Sequence, residues 1–205
     1  APFHEGRDTG LASVRPTIAK LLPRQGVPPA CGSWEELERE LGWGASAGVL
    51  SDVGSWWWEL RPHPALGTLE LRVPDAQTTL SDAAAIAAVA HSLVAWLVER
   101  HDSGEPLGAA PTWRIEENRW VACRHGLEGA FADLRTGERR PVRECLNALV
   151  DQLEPVAERL GNGAPLAHAR RLIERNGAER QRQVAAEDGI GGLAGWLADG
   201  FEDGL

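Results

Sequence analysis

Residues 55 to 77 read SWWWELRPHPALGTLELRVPDAQ, and no other stretch of this chain restricts the fold as tightly. Side chains on a strand alternate between two faces. In the second run Leu69, Leu71 and Val73 fall on one face, and Thr68, Glu70 and Arg72 on the other. In the first, Trp56, Trp58 and Leu60 share a face while Trp57, Glu59 and Arg61 share the opposite one. The segment PHPALG between them carries the Pro and Gly punctuation of a turn, so the pair reads as an antiparallel hairpin. One side is apolar; the other holds carboxylates, guanidiniums and a tryptophan.

A charged face on an antiparallel sheet is by default a solvated one. Trp57 argues for a covered face instead, because a large aromatic there has little reason to stand in water. If Arg61 lies opposite Thr68, Glu59 faces Glu70 and Trp57 faces Arg72. Two carboxylates opposed across strands repel unless a cation or an arginine lies between them. A divalent metal with phosphate would resolve that repulsion, since carboxylate oxygens hold Mg²⁺ and a guanidinium grips phosphate in a forked contact.

The net charge of −9 argues against a protein that binds nucleic acid by neutralising phosphates, and no basic stripe appears. Only Lys20 among the 21 basic residues is a lysine, which we read mainly as compositional bias, although arginine also suits bidentate anion contacts. Cys31, Cys123 and Cys145 are widely spaced and form no CxxC pair, so neither a disulfide framework nor a zinc site is supported. A reducing cytoplasm is the expected compartment. The apolar run from Ala83 to Val98 is rich in alanine and interrupted by His91 and Ser92, which favours a buried helix over a membrane span. The chain lacks methionine and opens directly in APFHEGRDTG. We expect a fragment, or one half of a divided protein.

Along the chain, a glycine-bearing loop at residues 1 to 10 leads to a short helical stretch around Leu11 to Leu22, stopped by Pro23. Ser33 is expected to cap the helix SWEELERELG, with Glu36 completing a capping box and Gly42 ending it. After the hairpin, Ser81 or Asp82 is expected to cap a helix whose buried stripe runs Ile86, Val89, Leu93, Leu97. Residues 101 to 111 are a loop. EENRWVACRHGLEG reads as a helix closed by glycine, and GAFADLRTGERRPV as a hairpin turning at Arg135 to Gly137. From Pro141 onward the pattern is helical, with Leu146, Leu149, Leu153, Val156 and Leu160 in one stripe and a kink expected at Pro155. Further helices carry Leu166 to Arg175 and Ala178 to Glu187. The fold class is therefore α+β, with residues 1 to 140 mixed and residues 141 to 205 a helical region of the same domain.

Several motifs have bland readings. GIGGLAG, residues 189 to 195, follows no strand and fits no phosphate-loop spacing, so it reads as a helix junction. Cys123 and His125 sit two apart in a helical stretch and point away from each other, which suits packing rather than nucleophile and base. No HExxH pair occurs.

Taken together, PFHEGRDTGLASVR, WWWELRPHPALGTLELRVPDAQ and EENRWVACRHGLEGAFAD, in this order, closely resemble the C-terminal half of the bacterial carboxylate-amine ligases of the glutamate-cysteine ligase type 2 family. That family is similar to glutamine synthetase in using a curved antiparallel sheet as a funnel for ATP, metal ions and substrates. The resemblance implies that the charged hairpin face is the funnel's inside and that the tryptophan-rich face packs on supporting helices. It implies ATP and Mg²⁺ as cofactors, with Glu70 and Glu59 as metal ligands and Arg72 and Arg61 as catalytic contacts to phosphate or a substrate carboxylate. It places Arg7, Thr9, Arg15, Thr68, Asn118 and Arg119 among the substrate and ATP contacts.

The implied reaction activates a carboxylate, the γ-carboxylate of glutamate in the reference case, as an acyl phosphate, which an amine such as cysteine then displaces to form an amide. Such chemistry rests on charge neutralisation more than on general-base strength. The family's N-terminal half has no counterpart here, so a companion polypeptide carrying that half, or a homo-oligomer, is the expected partner. The alternative is a noncatalytic ligase-derived subunit that binds nucleotide or amino acid and completes a partner's fold.

Overall fold

A computed structural model of the chain describes residues 1–50, 54 and 56–202. The α+β reading holds: eight short strands, paired in twos among the described residues, precede or interleave with helices, and the chain ends in three consecutive helices. Strands β1 (Phe3–His4) and β2 (Arg7–Asp8) pair antiparallel at the start. Helix α1 (Arg15–Ala19) is shorter than its sequence pattern implies, with Pro16 in its first turn. Helix α2 (Trp34–Ser46) begins at Ser33, whose hydroxyl accepts the Glu36 N–H at 3.2 Å. The capping box is incomplete: the Glu36 carboxylate accepts the Gly32 N–H at 2.7 Å rather than that of Ser33. Gly42 does not end the helix either, and α2 continues through Gly44. A Cβ at Gly44 would lie 2.2 Å from Leu50 Cδ1, so glycine there serves close packing rather than termination.

The tryptophan-rich run is divided between two partners. Strand β3 (Gln25–Gly26) pairs in parallel with β4 (Trp57–Trp58), and the chain bends at Glu59. Strand β5 (Leu60–His63) then pairs antiparallel with β6 (Thr68–Leu71). The register corrects the sequence expectation. Arg61 lies opposite Glu70, and Thr68 opposite His63. Glu59 O accepts the Arg72 N–H at 2.7 Å, so Glu59 lies beside Arg72 rather than facing Glu70. Pro62 and His63, which the sequence pattern assigned to the turn, belong to the strand, leaving a tight connection over residues 64 to 67.

Helix α3 (Leu80–Asp102) is capped by Thr79, whose Oγ1 accepts the Asp82 N–H at 3.1 Å, and not by Ser81 or Asp82. The Asp82 side chain is reserved for a buried junction. His168 Nε2 donates to Asp82 Oδ1 at 2.7 Å and Arg180 donates to Oδ2. Because a carboxylate only accepts and a guanidinium only donates, His168 Nδ1 accepts from Arg171. This junction joins α3 to α6 (Gly163–Glu174) and to the start of α7 (Gly177–Glu202). By length and composition α3 could cross a membrane, yet its Val89, Leu93 and Trp96 lie against the core built by α5 (Val142–Arg159) and α6. That core holds Val150, Leu153, Ala157, Leu166 and Ile173. Pro155 sits inside α5 without ending it.

Helix α4 (Thr112–His125) ends at Gly126, and a 3₁₀ turn over Gly126–Glu128 leads into the hairpin of β7 (Ala130–Ala132) and β8 (Arg139–Pro141). Helix α7 changes direction at Gly189, whose φ of 72° interrupts the helical backbone. The GIGGLAG stretch is a helix junction.

Candidate functional site

The β5–β6 hairpin and helix α4 bring the sequence-derived candidates into two charge clusters. In the first, Glu70 lies between two guanidiniums. Arg61 Nε donates to Glu70 Oε2 at 3.0 Å, with Nη2 on the same oxygen, and Arg72 Nη1 donates to Oε1 at 2.7 Å. Arg61 is buried, and its Nη1 also donates to the carbonyls of Gly54 at 3.0 Å and Trp56 at 2.8 Å. Arg72 is more open and stacks over Trp57, its Cζ 5.0 Å from the ring centroid. This explains the tryptophan on the charged side: its π face carries a guanidinium. The Arg61 guanidinium, and then that of Arg72, hold the Glu70 carboxyl below the usual carboxylate range. One carboxylate between two arginines leaves a local excess of positive charge.

The second cluster joins α4 to the bend between β4 and β5. Arg119 Nε donates to Glu59 Oε1 and Oε2, each at 2.8 Å, and Nη2 reaches Oε1 and the Pro16 carbonyl, the latter at 3.2 Å. These side chains are 12% and 14% exposed, so the pair is largely withdrawn from water. The hydrogen bonds to Glu59 raise the Arg119 pKa above its ordinary value. Arg119 Nη1 makes no hydrogen bond among the described residues and lies 3.7 Å from Glu116 Oε2.

Glu116 is a member of the site that the sequence reading overlooked. It takes the Lys20 ammonium at 2.6 Å and the Val27 N–H at 3.2 Å. Burial pushes its carboxyl up, but Lys20, the Val27 N–H and Arg119 outweigh it and leave the group below its usual range. The signal was present in the sequence: Glu116 stands three residues before Arg119, neighbours on a helix surface. Asp75 was overlooked as well. It accepts from Arg15 Nε at 2.7 Å and from Ser13 Oγ at 2.6 Å.

The remaining candidates take other places. Arg15 anchors the exit of β6, its Nη2 reaching the carbonyls of Arg72 at 3.4 Å, Val73 and Pro74. Asn118 brackets β7: its Nδ2 donates to Ala132 O and its Oδ1 accepts the Ala132 N–H, both at 2.8 Å. Thr9 ties its own loop, donating to Pro2 O at 2.7 Å and accepting from Leu11 N at 3.2 Å. Arg7 and Thr68 are exposed. No hydrogen bond or ion pair joins Arg7, Thr9 or Thr68 to the two clusters among the described residues.

Beside the second cluster lies a cleft of about 410 Å³ whose lining includes Ser13, Glu59, Asp75, Asn118, Arg119 and Cys123. Burial pushes the Cys123 thiol up, so it stays protonated near neutrality and packs rather than attacks. The opposite, apolar face of the hairpin is only loosely covered: Trp56 is buried, but Leu60, Leu69 and Leu71 are 39%, 50% and 44% exposed, and a cavity of about 650 Å³ separates Leu60 and Leu69 from Leu37 and Trp43 of α2.

Comparisons with known proteins bear on the family. The model of the family described as "Glutamate-cysteine ligase family 2 (GCS2)" matches residues 1–194. A Rubrobacter xylanophilus protein named "Putative glutamate--cysteine ligase 2-3" is 43% identical over 190 residues, covering 92% of this chain and 50% of the relative. A Micrococcus luteus protein named "Putative glutamate--cysteine ligase 2" is 38% identical over 200 residues, covering 98% of this chain and 49% of the relative. The chain thus spans about half the length of the curated relatives it matches. With a family match over nearly all of its residues, the chain belongs to glutamate-cysteine ligase family 2.

Proposed function

We propose that this chain supplies the C-terminal half of the catalytic sheet of an ATP-dependent carboxylate-amine ligase. The reaction activates the γ-carboxylate of glutamate as an acyl phosphate and joins it to an amine such as cysteine. The observation that carries the reading is the Glu70 carboxylate held between Arg61 and Arg72 on one hairpin face, on a chain of this family. In this reading Arg72, partly open and pre-oriented by Trp57, grips the phosphoryl group undergoing transfer. Arg61 is a positioning residue, since its contacts are to Glu70 and backbone carbonyls. Arg119, fixed by Glu59, keeps Nη1 for a substrate carboxylate in the adjoining cleft. Asn118 shapes that cleft, while Arg15 sets the exit of β6. Arg7, Thr9 and Thr68 contribute from the rim.

Mg²⁺ ordinarily takes one or two carboxylates and completes its shell with phosphate oxygens and water. Among the described residues no group of three or more His, Cys, Asp and Glu side chains is placed to hold a metal ion alone. Glu70 fits one such ligand: its side chain is 35% exposed, and Oε1 keeps a lone pair beyond its Arg72 contact, while Oε2 takes both Arg61 donors. Glu59 fits only if Arg119 releases it, because both its oxygens are clasped. When bound, the ion would neutralise phosphate charge. The cytoplasm is the compartment that suits such a reaction.

The partly exposed Leu60, Leu69 and Leu71, on a sheet that has two strands among the described residues, support a companion polypeptide that carries the other half of a curved, glutamine-synthetase-like sheet. The test is to express this chain alone and together with the remaining half of the ligase, measuring assembly and glutamate-dependent ADP release. Activity on mixing, lost in Glu70→Gln, is the expected result. A chain active alone would sink the companion, and a native assembly without turnover would leave a noncatalytic subunit.

A further inference from the structure

Helices α3, α5, α6 and the start of α7, with residues 75 to 78 and the end of α4, line a partly open cavity of about 330 Å³ that lies outside the two charge clusters. Its wall is mainly aliphatic, with Ile86 and Val89 from α3, Leu146 and Leu149 from α5, and Leu172 from α6. Two polar side chains also line it, Thr78 at 7% exposure and Gln181 at 8%. Neither makes a side-chain hydrogen bond among the described residues. Other polar groups on the wall are already engaged: Asp75 by Arg15 and Ser13, Gln77 by the Asp75 carbonyl, and Asn176 Oδ1 by the Glu179 N–H. Polar groups this far withdrawn ordinarily find partners, and these two are left to find theirs in the cavity.

We propose that this cavity binds a small uncharged organic molecule with an aliphatic body and an amide or hydroxyl end. The body would meet the leucine and isoleucine wall. The polar end would meet Gln181, which offers two donors and an acceptor, and the Thr78 hydroxyl, which offers both roles. A charged ligand is disfavoured because the two charges on the wall, the Ala1 ammonium and the Asp75 carboxylate, already pair with each other, Asp75 also holding Arg15, and an unpaired buried charge is costly. The volume lies within the range of small-molecule sites. Ser13, Asp75 and Ala122 line both this cavity and the cleft beside Glu59 and Arg119. An occupant therefore touches the residues that hold Arg15 against the exit of β6.

The probe is isobutyramide, titrated into the 205-residue chain and followed by NMR, with isobutyrate as the charged control. Saturable binding of isobutyramide, with isobutyrate weaker by about tenfold or more, is expected from the cost of burying an unpaired carboxylate. Gln181→Leu should weaken isobutyramide by about tenfold and Thr78→Val by about fivefold, the size of one lost hydrogen bond. Absence of saturable binding would mean that the cavity holds water only and would overturn the proposal. Equal affinity for the two probes, or unchanged affinity in both variants, would overturn it as well. Should Gln181→Leu fail to fold, Thr78→Val and the isobutyrate comparison still decide.

Discussion

Replacing Glu59 by Gln removes the charge from the pair that ties α4 to the β4–β5 bend while preserving shape. Arg119 places two hydrogen bonds of 2.8 Å from Nε on this carboxylate and adds Nη2, with both side chains close to seven-eighths buried. At an effective dielectric constant of about 20, two unit charges about 4 Å apart attract by about 4 kcal/mol. Removing one partner of a buried pair typically costs 3–5 kcal/mol, because the other charge is stranded. Glutamine keeps one acceptor oxygen for Arg119, so the expected loss is smaller, about 2–3 kcal/mol. For a chain of this size that is a fall in melting temperature of roughly 4–12 °C. Urea unfolding followed by tryptophan fluorescence gives the free energy directly. Arg119→Met alone should cost a similar amount, and adding it to Glu59→Gln should cost less than the sum by about 2 kcal/mol, since no charge is then left buried. Single changes below about 0.5 kcal/mol that simply add would refute the reasoning and show the pair to be as weak as an exposed one.

Three further outcomes follow from local geometry. Glu70 titrates below the ordinary value near 4.3 because Arg61 and Arg72 favour its ionised form; its stabilising contribution is complete above that value and is lost as pH falls through the lower folded one. Carboxyl-carbon NMR of the labelled chain reads this, and a normal Glu70 midpoint would remove the arginine cradle. Gly26→Ala forces a residue at φ +86° to carry a Cβ that would lie 2.8 Å from Glu116 Oε1, so a loss of about 2 kcal/mol is expected in urea unfolding; an unchanged midpoint would mean that the backbone relaxes. In the assembled ligase, Arg72→Lys should lower kcat by about 3 kcal/mol of barrier with little change in KM, because an ammonium keeps the charge and loses the forked contact. A rise in KM with normal kcat would mark Arg72 as a ground-state anchor.

Features with a strong local cause were legible in the sequence. Ser33 is an N-cap because its hydroxyl meets the Glu36 N–H, and Gly126 ends α4 with a positive φ of 55°. The stripe from Leu146 to Leu160 has helical period and includes the most deeply buried core leucine, Leu153, although Leu160 at its end is exposed. The turn at Arg135 to Gly137 also lies where its residues put it, with Asp133 Oδ1 accepting the N–H groups of Arg135 and Thr136 at 3.0 and 2.7 Å. Features with a distant cause were not legible. Nothing in Gln25–Gly26 announces a parallel partner for Trp57–Trp58, because two residues carry no period. Gly42 reads as a helix stop, whereas the helix runs past it and the approach of Leu50 is what a side chain at Gly44 would obstruct.

The hairpin register shows how much of the site hangs on one such distant cause. With Pro62 and His63 counted as turn, Arg61 falls opposite Thr68 and the two glutamates collide, which demands a cation between them. The chain instead closes its turn later, with Leu66 N donating to His63 O at 3.0 Å, and every pair moves by two residues. Pro62 is tolerated in the strand because β5 pairs on one side only, so its missing N–H need break no ladder. After that shift each glutamate meets arginine: Glu70 meets Arg61 and Arg72, and Glu59 meets Arg119. The same residues therefore compensate one another before any ligand arrives. Of the two acid–arginine clusters that result, the first holds the more open carboxylate, Glu70, and the more open guanidinium, Arg72, and it is on these that the proposed phosphoryl transfer would draw.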